Sequence, residues 1–413
     1  MKFRSIKGTR DILPADAPAW HEVERTVHRV MQDFQYREIR TPVFEPTALF
    51  SRSIGELTDI VSKEMYTFPD RSGDSITLRP EGTAAVLRAY LQNNLGEKNP
   101  LTKVYYIGPM FRQERPQAGR LRQFHQFGAE AIGSPSPALD VEMILLPLEI
   151  YRALGVTECG VKVNSVGCQN CRPRYKEFLR TELNAIRGQL SADSQTRIDH
   201  NPLRVLDSKE EQDRLATAHV PLLRDHLCEE CRSHAAQVYS LLTAASVRFQ
   251  EDPRLVRGLD YYTRTAFEIT STALGSQDAL AGGGRYDLLV EELGGKATPG
   301  VGFAAGMERL LMVLEKQETA FADPAPALYI VALDEPSRAW AFRTTARLRS
   351  RGVSVEIDYL NRSIKAQMRD ANRIRAQQVL VVGESELASG RAKLKNMTTG
   401  EEVDVRLEQL PFG

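Results

Sequence analysis

The segment 106–130, YIGPMFRQERPQAGRLRQFHQFGAE, constrains the fold of this 413-residue chain more than any other stretch. It opens on an apolar run and closes on FHQFGAE, and the basic loop between them contains Pro116 and Gly119. Two such runs around a proline- and glycine-containing loop predict an antiparallel pair of strands. The segment carries four arginines: Arg112, Arg115, Arg120 and Arg122. Because guanidinium groups grip phosphate oxygens bidentately, the hairpin is suited to binding a polyanion.

The bulk composition is that of an ordinary globular protein, with 42% hydrophobic and 26% charged residues. The length allows two or three domains. The formal net charge is +0, so any basic surface for nucleic acid must be local. No apolar run is long enough to span a bilayer, and the N-terminus lacks the apolar stretch of a secretory signal. We therefore expect a cytoplasmic protein without a membrane segment.

Apolar periodicity outlines the first three quarters of the chain. It predicts helices over about 18–35 and 138–154, and a strand, a turn and a helix over 76–91. Strand-like chemistry resumes at 254–270, and 300–316 is typical of a strand that leads into a helix. Residues about 170–250 are charged and helical and lack catalytic-looking motifs, which predicts a helical insertion.

The segment 318–327, ETAFADPAPA, predicts a linker because it is rich in proline and alanine and has no periodicity. Beyond it, the strand-like runs ALYIVAL, VSVEIDY and QVLVVG alternate with helical patterns, which predicts a small α/β domain. Four basic residues spaced three or four apart would line one helix face: Arg362, Lys365, Arg369 and Arg373. A solvated helix face is one explanation, and an RNA contact is the other.

Three arginines lie near the ends of predicted strands and helices and together could neutralise a triphosphate: Arg112, Arg257 and Arg309. The chain has no G-x-x-x-x-G-K-[ST] phosphate loop. It matches the looser dinucleotide pattern G-x-G-x-x-A at Gly300, but a loop rather than a buried strand precedes it, so a Rossmann fold is a poor interpretation.

Two further pairs of residues suggest recognition of a small molecule. Glu81 and Thr83 in RPEGT could receive an ammonium group, or could cap the helix that follows. Glu130 and Tyr262 lie in otherwise apolar stretches. A carboxylate in such surroundings must find a hydrogen-bond donor or lose its charge. An imidazole ligand would be one donor, and an internal arginine is the commoner one.

These segments resemble known signatures. The 106–130 segment resembles motif 2 of class II aminoacyl-tRNA synthetases in its histidyl form. RGLDYYTRTAFEI and AGGGRYD resemble the two histidine-specific signatures of the histidyl-tRNA synthetase family. Three more segments are similar to class II elements, namely REIRTPVFEP to motif 1, GVGFAAGMERL to motif 3 and RPEGT to the amino-acid-binding loop. The matches run in order from KGTRDILP to the C-terminal domain.

The resemblance implies an α+β fold. It predicts a class II antiparallel-sheet catalytic domain over 1–325, with the helical insertion at about 170–250, and a C-terminal α/β anticodon-binding domain over 326–413. The implied enzyme is a ligase that uses ATP with Mg²⁺ to form histidyl-adenylate and then transfers L-histidine to the 3′ end of tRNA(His). Motif 1 implies a homodimer.

The resemblance also assigns roles residue by residue. It implies that Arg112 and Arg257 act in catalysis, and that ATP is bound by Arg112, Glu114 and Arg309. The implied histidine-binding residues are Glu81, Gly82, Thr83, Gln126, Glu130, Tyr261 and Tyr262, with Glu130 and Tyr262 reading the two imidazole nitrogens. The implied tRNA contacts are Arg115, Gln117, Arg362 and Arg369.

Four of the five cysteines form two C-x-x-C pairs, Cys168 with Cys171 and Cys228 with Cys231. This spacing is that of a structural Zn²⁺ site, although the gap between the pairs is longer than in a compact zinc ribbon. Four reduced thiols near helix ends are the alternative. The resemblance does not decide between them.

Two other functions remain open beside the ligase. A synthetase-like regulatory paralogue would bind histidine without aminoacylating tRNA, and such proteins typically lack the anticodon domain and the intact catalytic motifs. An RNA-binding module without catalysis would need neither an imidazole pocket nor the ATP arginines.

Overall fold

A computed structural model of the protein describes residues 3–54, 58, 60–117, 119–275, 278–321 and 325–412. The chain forms two compact units, residues 1–320 and 321–413. The division falls within the predicted linker. None of the helices in the described ranges has both the length and the apolar character needed to cross a membrane.

The first unit contains an eight-stranded and a three-stranded sheet. Its strands are β1 (Arg37–Glu38), β2 (Phe44–Pro46), β3 (Tyr66–Pro69), β4 (Ser75–Leu78), β5 (Thr102–Phe111), β6 (Gln123–Ile132), β7 (Gly160–Ser165), β8 (Gln250–Glu251), β9 (Thr263–Thr270), β10 (Ala279–Arg285) and β11 (Gly300–Gly306). Its helices are α1 (Ala17–Asp33), α2 (Thr47–Ile54), α3 (Thr83–Gln92), α4 (Leu95–Lys98), α5 (Pro137–Ala153), α6 (Arg172–Ala185), α7 (Ala192–His200), α8 (Leu203–Leu206), α9 (Glu211–Ala216), α10 (Glu229–Ala244), α11 (Leu289–Glu292) and α12 (Met307–Lys316).

The order of the large sheet is β1-β5-β6-β11-β10-β9-β7-β8. The predicted hairpin is confirmed, because β5 and β6 pair antiparallel from Thr102 opposite Ile132 to Phe111 opposite Gln123. The strands β6, β11, β10, β9 and β7 continue the antiparallel pairing, while the edge strands β1 and β8 pair in parallel. This order places the motif 2 hairpin, motif 3 and both histidine signatures side by side.

The predicted helix at 138–154 is observed as α5, which supports the sheet through a buried ion pair. Asp140 on α5 and Arg285 at the end of β10 are both fully buried, with Arg285 Nε 3.1 and 3.2 Å from the two carboxylate oxygens. His234 on α10 lies 3.2 Å from the same carboxylate. Burial raises the pKa of Asp140, but the hydrogen bonds from His234 and Arg285 lower it below its usual value. The ion pair thus joins the helices α5 and α10 to strand β10 of the sheet.

The predicted strand over 254–270 is only half correct. Strand β9 begins at Thr263, and residues 254–262 form a loop between β8 and β9. Pro253 and Gly258 interrupt regular pairing there. The helical character expected for the insertion is confirmed, because α6 to α10 follow one another between β7 and β8.

The second unit is the predicted small α/β domain. Its strands are β12 (Leu328–Ala332), β13 (Val355–Ile357), β14 (Gln378–Val382), β15 (Arg391–Asn396) and β16 (Glu402–Arg406), and its helices are α13 (Glu335–Arg349), α14 (Ile364–Arg373) and α15 (Glu384–Ser389). Strand β12 pairs in parallel with β13 and β14, and β15 and β16 extend the sheet antiparallel.

The predicted basic helix face in this unit is partly wrong. Arg362 precedes α14, and its guanidinium contacts Asp358 and Asp370, the latter at 2.7 Å. Arg373 also binds Asp370, at 2.5 Å. Arg369 is exposed on the helix. Of the two arginines implied as tRNA contacts here, Arg362 forms ion pairs, whereas none of the described carboxylates pairs with Arg369.

Candidate active site

A cavity of about 880 Å³ opens on the β5–β6 hairpin, the strands β9 to β11 and the 254–262 loop. The structure brings nine of the expected site residues together on its wall: Glu81, Thr83, Arg112, Glu114, Gln126, Arg257, Tyr261, Tyr262 and Arg309. They come from segments more than 200 residues apart in sequence. The sheet order explains their convergence.

Glu81 caps helix α3, so the capping alternative holds for this residue. Its carboxylate accepts the backbone N–H groups of Thr83 at 2.7 Å and Ala84 at 2.8 Å. Burial raises the pKa of Glu81. The hydroxyl of Thr83 donates to Oε1 of Glu130 at 2.7 Å. The RPEGT segment therefore provides both a helix cap and a polar wall for the cavity.

Glu130 is fully buried behind this wall, and the hydroxyls of Thr83 and Tyr286 donate to its two oxygens. The internal arginine expected as the commoner partner is therefore not the donor found here. Burial raises the pKa of Glu130 to about 8, although the two hydroxyl hydrogen bonds oppose that shift. Gly302 lies opposite Glu130 in the β6–β11 pairing, and a side chain at 302 would overlap the carboxylate. The glycine in motif 3 is thus required by the acid beside it.

Tyrosine rings and one amide surround the Glu130 carboxylate. The rings of Tyr261 and Tyr262 are 4.7 Å apart, and Tyr261 meets Tyr286 edge-on at 5.9 Å. The Oε1 atom of Gln126 is buried and has no hydrogen-bond partner among the described residues. Gly82 lies behind the wall, against the ring of Tyr106. This end of the cavity is a largely aromatic enclosure with two deeply buried acids, Glu81 and Glu130.

Arg112 and Arg309 occupy the polar end of the cavity, and backbone carbonyls hold both of them. Arg112 donates from Nε to Pro80 O at 2.9 Å. Arg309 donates to Gly119 O at 3.1 Å and to Ala279 O at 2.7 Å. Carbonyl acceptors orient a guanidinium without neutralising its charge. Burial, together with the nearby Arg120, lowers the pKa of Arg309 from its high ordinary value.

Arg257 lies between these two ends. Its Nη1 donates to Glu268 on β9 at 2.6 Å, and its Nε is buried without a partner among the described residues. A side chain at Gly282 would overlap the guanidinium, so the glycine cluster of β10 makes room for it. Arg257 is thus held in place by β9 and β10.

The motif 2 loop forms a second, smaller cavity of about 350 Å³, lined by both Arg115 and Gln117. Glu114 lies between the two cavities, 3.8 Å from Arg112 and 3.3 Å from Arg120. Of the loop arginines, Arg115 lines only the smaller cavity, whereas Arg120 lines both.

Several residues on the cavity wall were not predicted from the sequence. Tyr286, in the AGGGRYD segment, contacts Glu130 directly, and an aromatic residue two positions after a glycine cluster was the available signal. The insertion also reaches the cavity through Arg204, Asp207, Ser208 and Lys209. Burial raises the pKa of Asp207 to about 6. In the segment LRVLDSK, charged residues are interspersed with buried apolar ones, and this pattern was the available indication that the insertion contacts the cavity.

The four paired cysteines meet in space, as their spacing predicts. Their sulfur atoms all lie within 4.8 Å of one another: Cys168, Cys171, Cys228 and Cys231. Burial acts to raise the pKa of Cys168, but hydrogen bonds from backbone N–H groups and neighbouring thiols lower it to about 7. Cys159 lies outside this group. The donor set and its compactness fit a tetrahedral thiophilic metal.

Two family models match the chain. The histidyl-tRNA synthetase model matches residues 8–310, and the anticodon binding domain model matches residues 328–411.

Individual proteins match over nearly the whole chain. The histidine–tRNA ligase of Halothermothrix orenii is 50% identical, over 99% of this chain and 98% of its own length. The histidine–tRNA ligase of Chloroherpeton thalassium is 53% identical, over 98% of this chain and 96% of its own length. The crystal structure of the apo histidyl-tRNA synthetase of S. aureus superimposes with a TM-score of 0.84 at 38% identity, over 98% of each chain.

Proposed function

This chain belongs to the histidyl-tRNA synthetase family, and we propose that the cavity described above activates histidine with ATP and passes it to tRNA. It is a class II histidine–tRNA ligase with a C-terminal anticodon-binding domain. One observation carries the assignment of the site, namely that one cavity joins a tyrosine-lined end, with the fully buried Glu130 directly behind its Thr83 and Tyr286, to an end that holds three arginines. The first part suits an imidazole and the second a triphosphate.

Histidine binds at the aromatic end. Glu130 and Tyr262 read the two imidazole nitrogens, and Tyr261 forms the adjoining wall. Each oxygen of Glu130 already accepts one hydroxyl hydrogen bond and keeps a second lone pair for an imidazole N–H. An analogue without that N–H would leave a buried acid unpaired, and sites of this kind reject such analogues by ~10⁴-fold or more.

The α-amino group of histidine lies toward Glu81, Thr83 and Gln126. The Thr83 hydroxyl gives its hydrogen to Glu130, so its oxygen remains free to accept from an ammonium group. The buried Oε1 atom of Gln126 is a second acceptor. An ammonium group beside Glu81 would favour the charged form of that carboxylate, whose pKa burial raises.

ATP binds at the polar end with its α-phosphate near Arg112 and its γ-phosphate near Arg309. Backbone carbonyls orient both guanidinium groups, and Arg112 also lies 3.8 Å from Glu114, whereas none of the described carboxylates forms an ion pair with Arg309. Mg²⁺ that accompanies ATP would share the charge of the phosphates, and Glu114 is the nearby carboxylate that would help to hold it. Arg112 also neutralises the histidine carboxylate, which brings the two reactants together.

In the first step, a carboxylate oxygen of histidine attacks the α-phosphorus, and the bond to pyrophosphate breaks. Arg257 and Arg112 stabilise the negative charge that develops on the phosphoryl oxygens, and no nucleophilic side chain is needed. In the second step, a terminal ribose hydroxyl of tRNA attacks the activated carbonyl and AMP leaves. Arg115 and Gln117 meet the acceptor end of tRNA(His), while Arg362 and Arg369 contribute to binding it from the C-terminal unit.

Histidine-dependent exchange of labelled pyrophosphate into ATP tests this assignment. A ligase catalyses the exchange without tRNA, whereas a histidine-binding regulatory paralogue or an RNA-binding module does not. The folded wild-type protein should give exchange that depends on histidine concentration. Absence of exchange, with histidine binding retained, would favour the regulatory paralogue.

The active form is a homodimer in which the motif 1 segment contributes to the interface. Val43 and Phe44 of that segment are 37% and 52% exposed, and Phe68 on the same small sheet is 43% exposed. Exposed apolar groups on one sheet are typical of an interface. Sedimentation equilibrium should give the mass of two chains, and Phe44→Glu should shift the protein toward one.

The four-cysteine cluster holds one structural Zn²⁺ in the cytoplasm, where thiols stay reduced. Elemental analysis of protein purified without chelators should find one zinc per chain. Less than one zinc per four chains would remove the metal from the proposal.

A further inference from the structure

The four-cysteine cluster adjoins the loop that carries Tyr261 and Tyr262. We infer that Zn²⁺ bound by these thiols fixes the position of that loop through Arg172, and so sets the affinity for histidine. The inference rests on the proposed function, because it takes the loop as part of the histidine site. Arg172 is a positioning residue in this scheme, since it acts through the tyrosines.

The cluster has the dimensions of a zinc–thiolate centre. The sulfur of Cys168 lies 3.8 Å from that of Cys171 and 3.7 Å from that of Cys228, and Cys171 lies 3.8 Å from Cys231. A tetrahedron with Zn–S bonds of about 2.3 Å has edges of roughly 3.8 Å. The thiols therefore need little movement to take up the metal.

Backbone amides already point at these sulfur atoms. Cys168 N donates to the sulfur of Cys171 at 3.3 Å, and Asn170 N donates to the sulfur of Cys168 at 3.4 Å. Donors of this kind orient metal-bound thiolates and stabilise their charge. They are a second, independent feature of a built metal site.

The metal would hold two separate parts of the insertion. Cys168 and Cys171 belong to the turn between β7 and α6, and Cys228 and Cys231 belong to the start of α10. Cys171 directly precedes Arg172, and Arg172 N donates to Cys168 O at 2.9 Å. The backbone of Arg172 is thus fixed by the two ligands before it.

The side chain of Arg172 reaches from this turn to the tyrosine loop. Its Nη1 donates to Tyr262 O at 2.7 Å and to Asp260 O at 3.2 Å, and its Nη2 donates to the carboxylate of Asp260 at 2.6 Å. The side chain is only 15% exposed. A single guanidinium therefore binds the backbone on both sides of Tyr261.

A second connection joins the same turn to Arg264, the second residue of β9. Arg264 N donates to Gly167 O and Val166 N donates to Arg264 O, both at 2.7 Å. Arg264 has φ +51°, a left-handed conformation that is uncommon for arginine and needs support from its neighbours. Both ends of the tyrosine pair are therefore attached to the metal-binding turn.

The ATP end of the cavity has different supports. Arg112 is held by Pro80, and Arg309 is held by Gly119 and Ala279, none of which belongs to the insertion. Loss of the metal should therefore weaken histidine binding and leave ATP binding nearly unchanged.

The inference is tested on the full-length protein with three variants: Arg172→Ala, Arg172→Lys, and the double variant Cys228→Ser with Cys231→Ser. Cys159→Ser is the control for loss of a thiol. For each variant we would measure the zinc content and the rate of hydrogen exchange at amides 258–264. Pyrophosphate exchange would give the KM for histidine and the KM for ATP. The cysteine double variant should lose zinc, and its KM for histidine should rise about tenfold while its KM for ATP changes less than about twofold. Amides 258–264 should exchange faster. Cys159→Ser should match the wild type.

Arg172→Ala should keep its zinc and still show the raised KM for histidine and the faster amide exchange, and Arg172→Lys should recover part of both. If Arg172→Ala left both the amide exchange and the KM for histidine unchanged, the connection between the cysteine-containing turn and the tyrosine loop would be wrong. An equal rise in the KM for histidine and the KM for ATP would also contradict it. If the wild-type protein contained no zinc, the proposal that the four-cysteine cluster binds Zn²⁺ would be wrong. Pyrophosphate exchange in the wild type reports on the proposed function separately, so its failure is distinguishable from either result.

Discussion

Tyr286 donates its hydroxyl to Oε2 of Glu130 at 2.5 Å, on the opposite side of the carboxylate from the Thr83 hydroxyl. Two donors favour the charged acid, while complete burial favours the neutral one. Burial dominates and raises the pKa of Glu130 to about 8. The acid that is proposed to read imidazole therefore changes its charge close to neutral pH, where an incoming N–H donor can favour the charged form.

This shift predicts a specific pH dependence of stability. In the unfolded chain Glu130 titrates near 4.5, and in the folded protein near 8. The folded state alone keeps the proton between these values. The stability contributed by this group is therefore fully present below about pH 4.5 and is lost as pH rises to about 8, by up to about 1.4 kcal/mol per pH unit. Glu130→Gln cannot ionise, so its stability relative to the wild type should rise over this window. Urea titrations at several pH values measure the difference, and a constant difference would contradict the prediction.

Glu130→Gln should also weaken histidine recognition more than ATP binding. The amide keeps the shape of the acid, but it cannot accept N–H groups on both of its polar atoms. We expect the KM for histidine in pyrophosphate exchange to rise by at least about tenfold, with a much smaller change for ATP. Equal losses for both substrates would argue against an imidazole role.

Tyr286→Phe should separate the contribution of the hydroxyl to histidine binding from that of the aromatic ring. Loss of the hydroxyl leaves one oxygen of a buried acid with one donor fewer, so the KM for histidine should rise by about tenfold. Tyr239→Phe is the matched control, because Tyr239 on α10 stacks on Phe249 rather than contacting Glu130. If both variants change the KM equally, the effect does not arise from the Glu130 contact.

Arg257→Ala should slow adenylate formation more than it weakens histidine binding. Its guanidinium is held by Glu268 and lies between the two ends of the cavity, where charge develops during attack on the α-phosphorus. Single-turnover measurement of adenylate formation, beside histidine binding by calorimetry, distinguishes the two effects. A rate change below about threefold, ~0.7 kcal/mol, would remove Arg257 from the catalytic residues.

Local patterns in the sequence predicted the elements that local chemistry determines. The apolar runs and turn of 106–130 are sufficient to define a hairpin, and the observed β5–β6 pair confirms it. The spacing of the four cysteines predicted a cluster, and their sulfur atoms meet. The loop over 254–262 was missed, because the carbonyl contacts that hold it come from Arg172, about 90 residues earlier in the chain.

The site depended on pairing across the sheet, which no local pattern contains. Tyr286 and Glu130 are 156 residues apart in sequence, and they meet because β6, β11 and β10 are neighbours. For the same reason the donors to Glu130 were not predicted as hydroxyls. The family resemblance named the residues expected in the cavity, and the fold supplied their distances.

Arg309→Ala should raise the KM for ATP by about tenfold and leave histidine binding within about twofold. Backbone carbonyls orient the guanidinium, and the alanine variant removes the positive charge that this side chain would offer to the phosphates. Arg309→Lys keeps the charge but cannot span both Gly119 O and Ala279 O, and it should show an intermediate KM. An unchanged KM for ATP in the alanine variant would place the triphosphate elsewhere.

Substitution of both Arg115 and Gln117 by alanine should affect only the step that uses tRNA. These residues line the smaller cavity, apart from the arginines and tyrosines of the main site. Pyrophosphate exchange should therefore stay within about twofold of the wild type, while the KM for tRNA in aminoacylation should rise by about tenfold and depend more weakly on salt. Arg369→Ala, in the C-terminal unit, is a useful comparison because it removes one exposed charge from a different contact with the same tRNA. A loss of exchange in the loop variant would mean that the loop also shapes the ATP site, and the assignment of its two residues to tRNA would then be wrong.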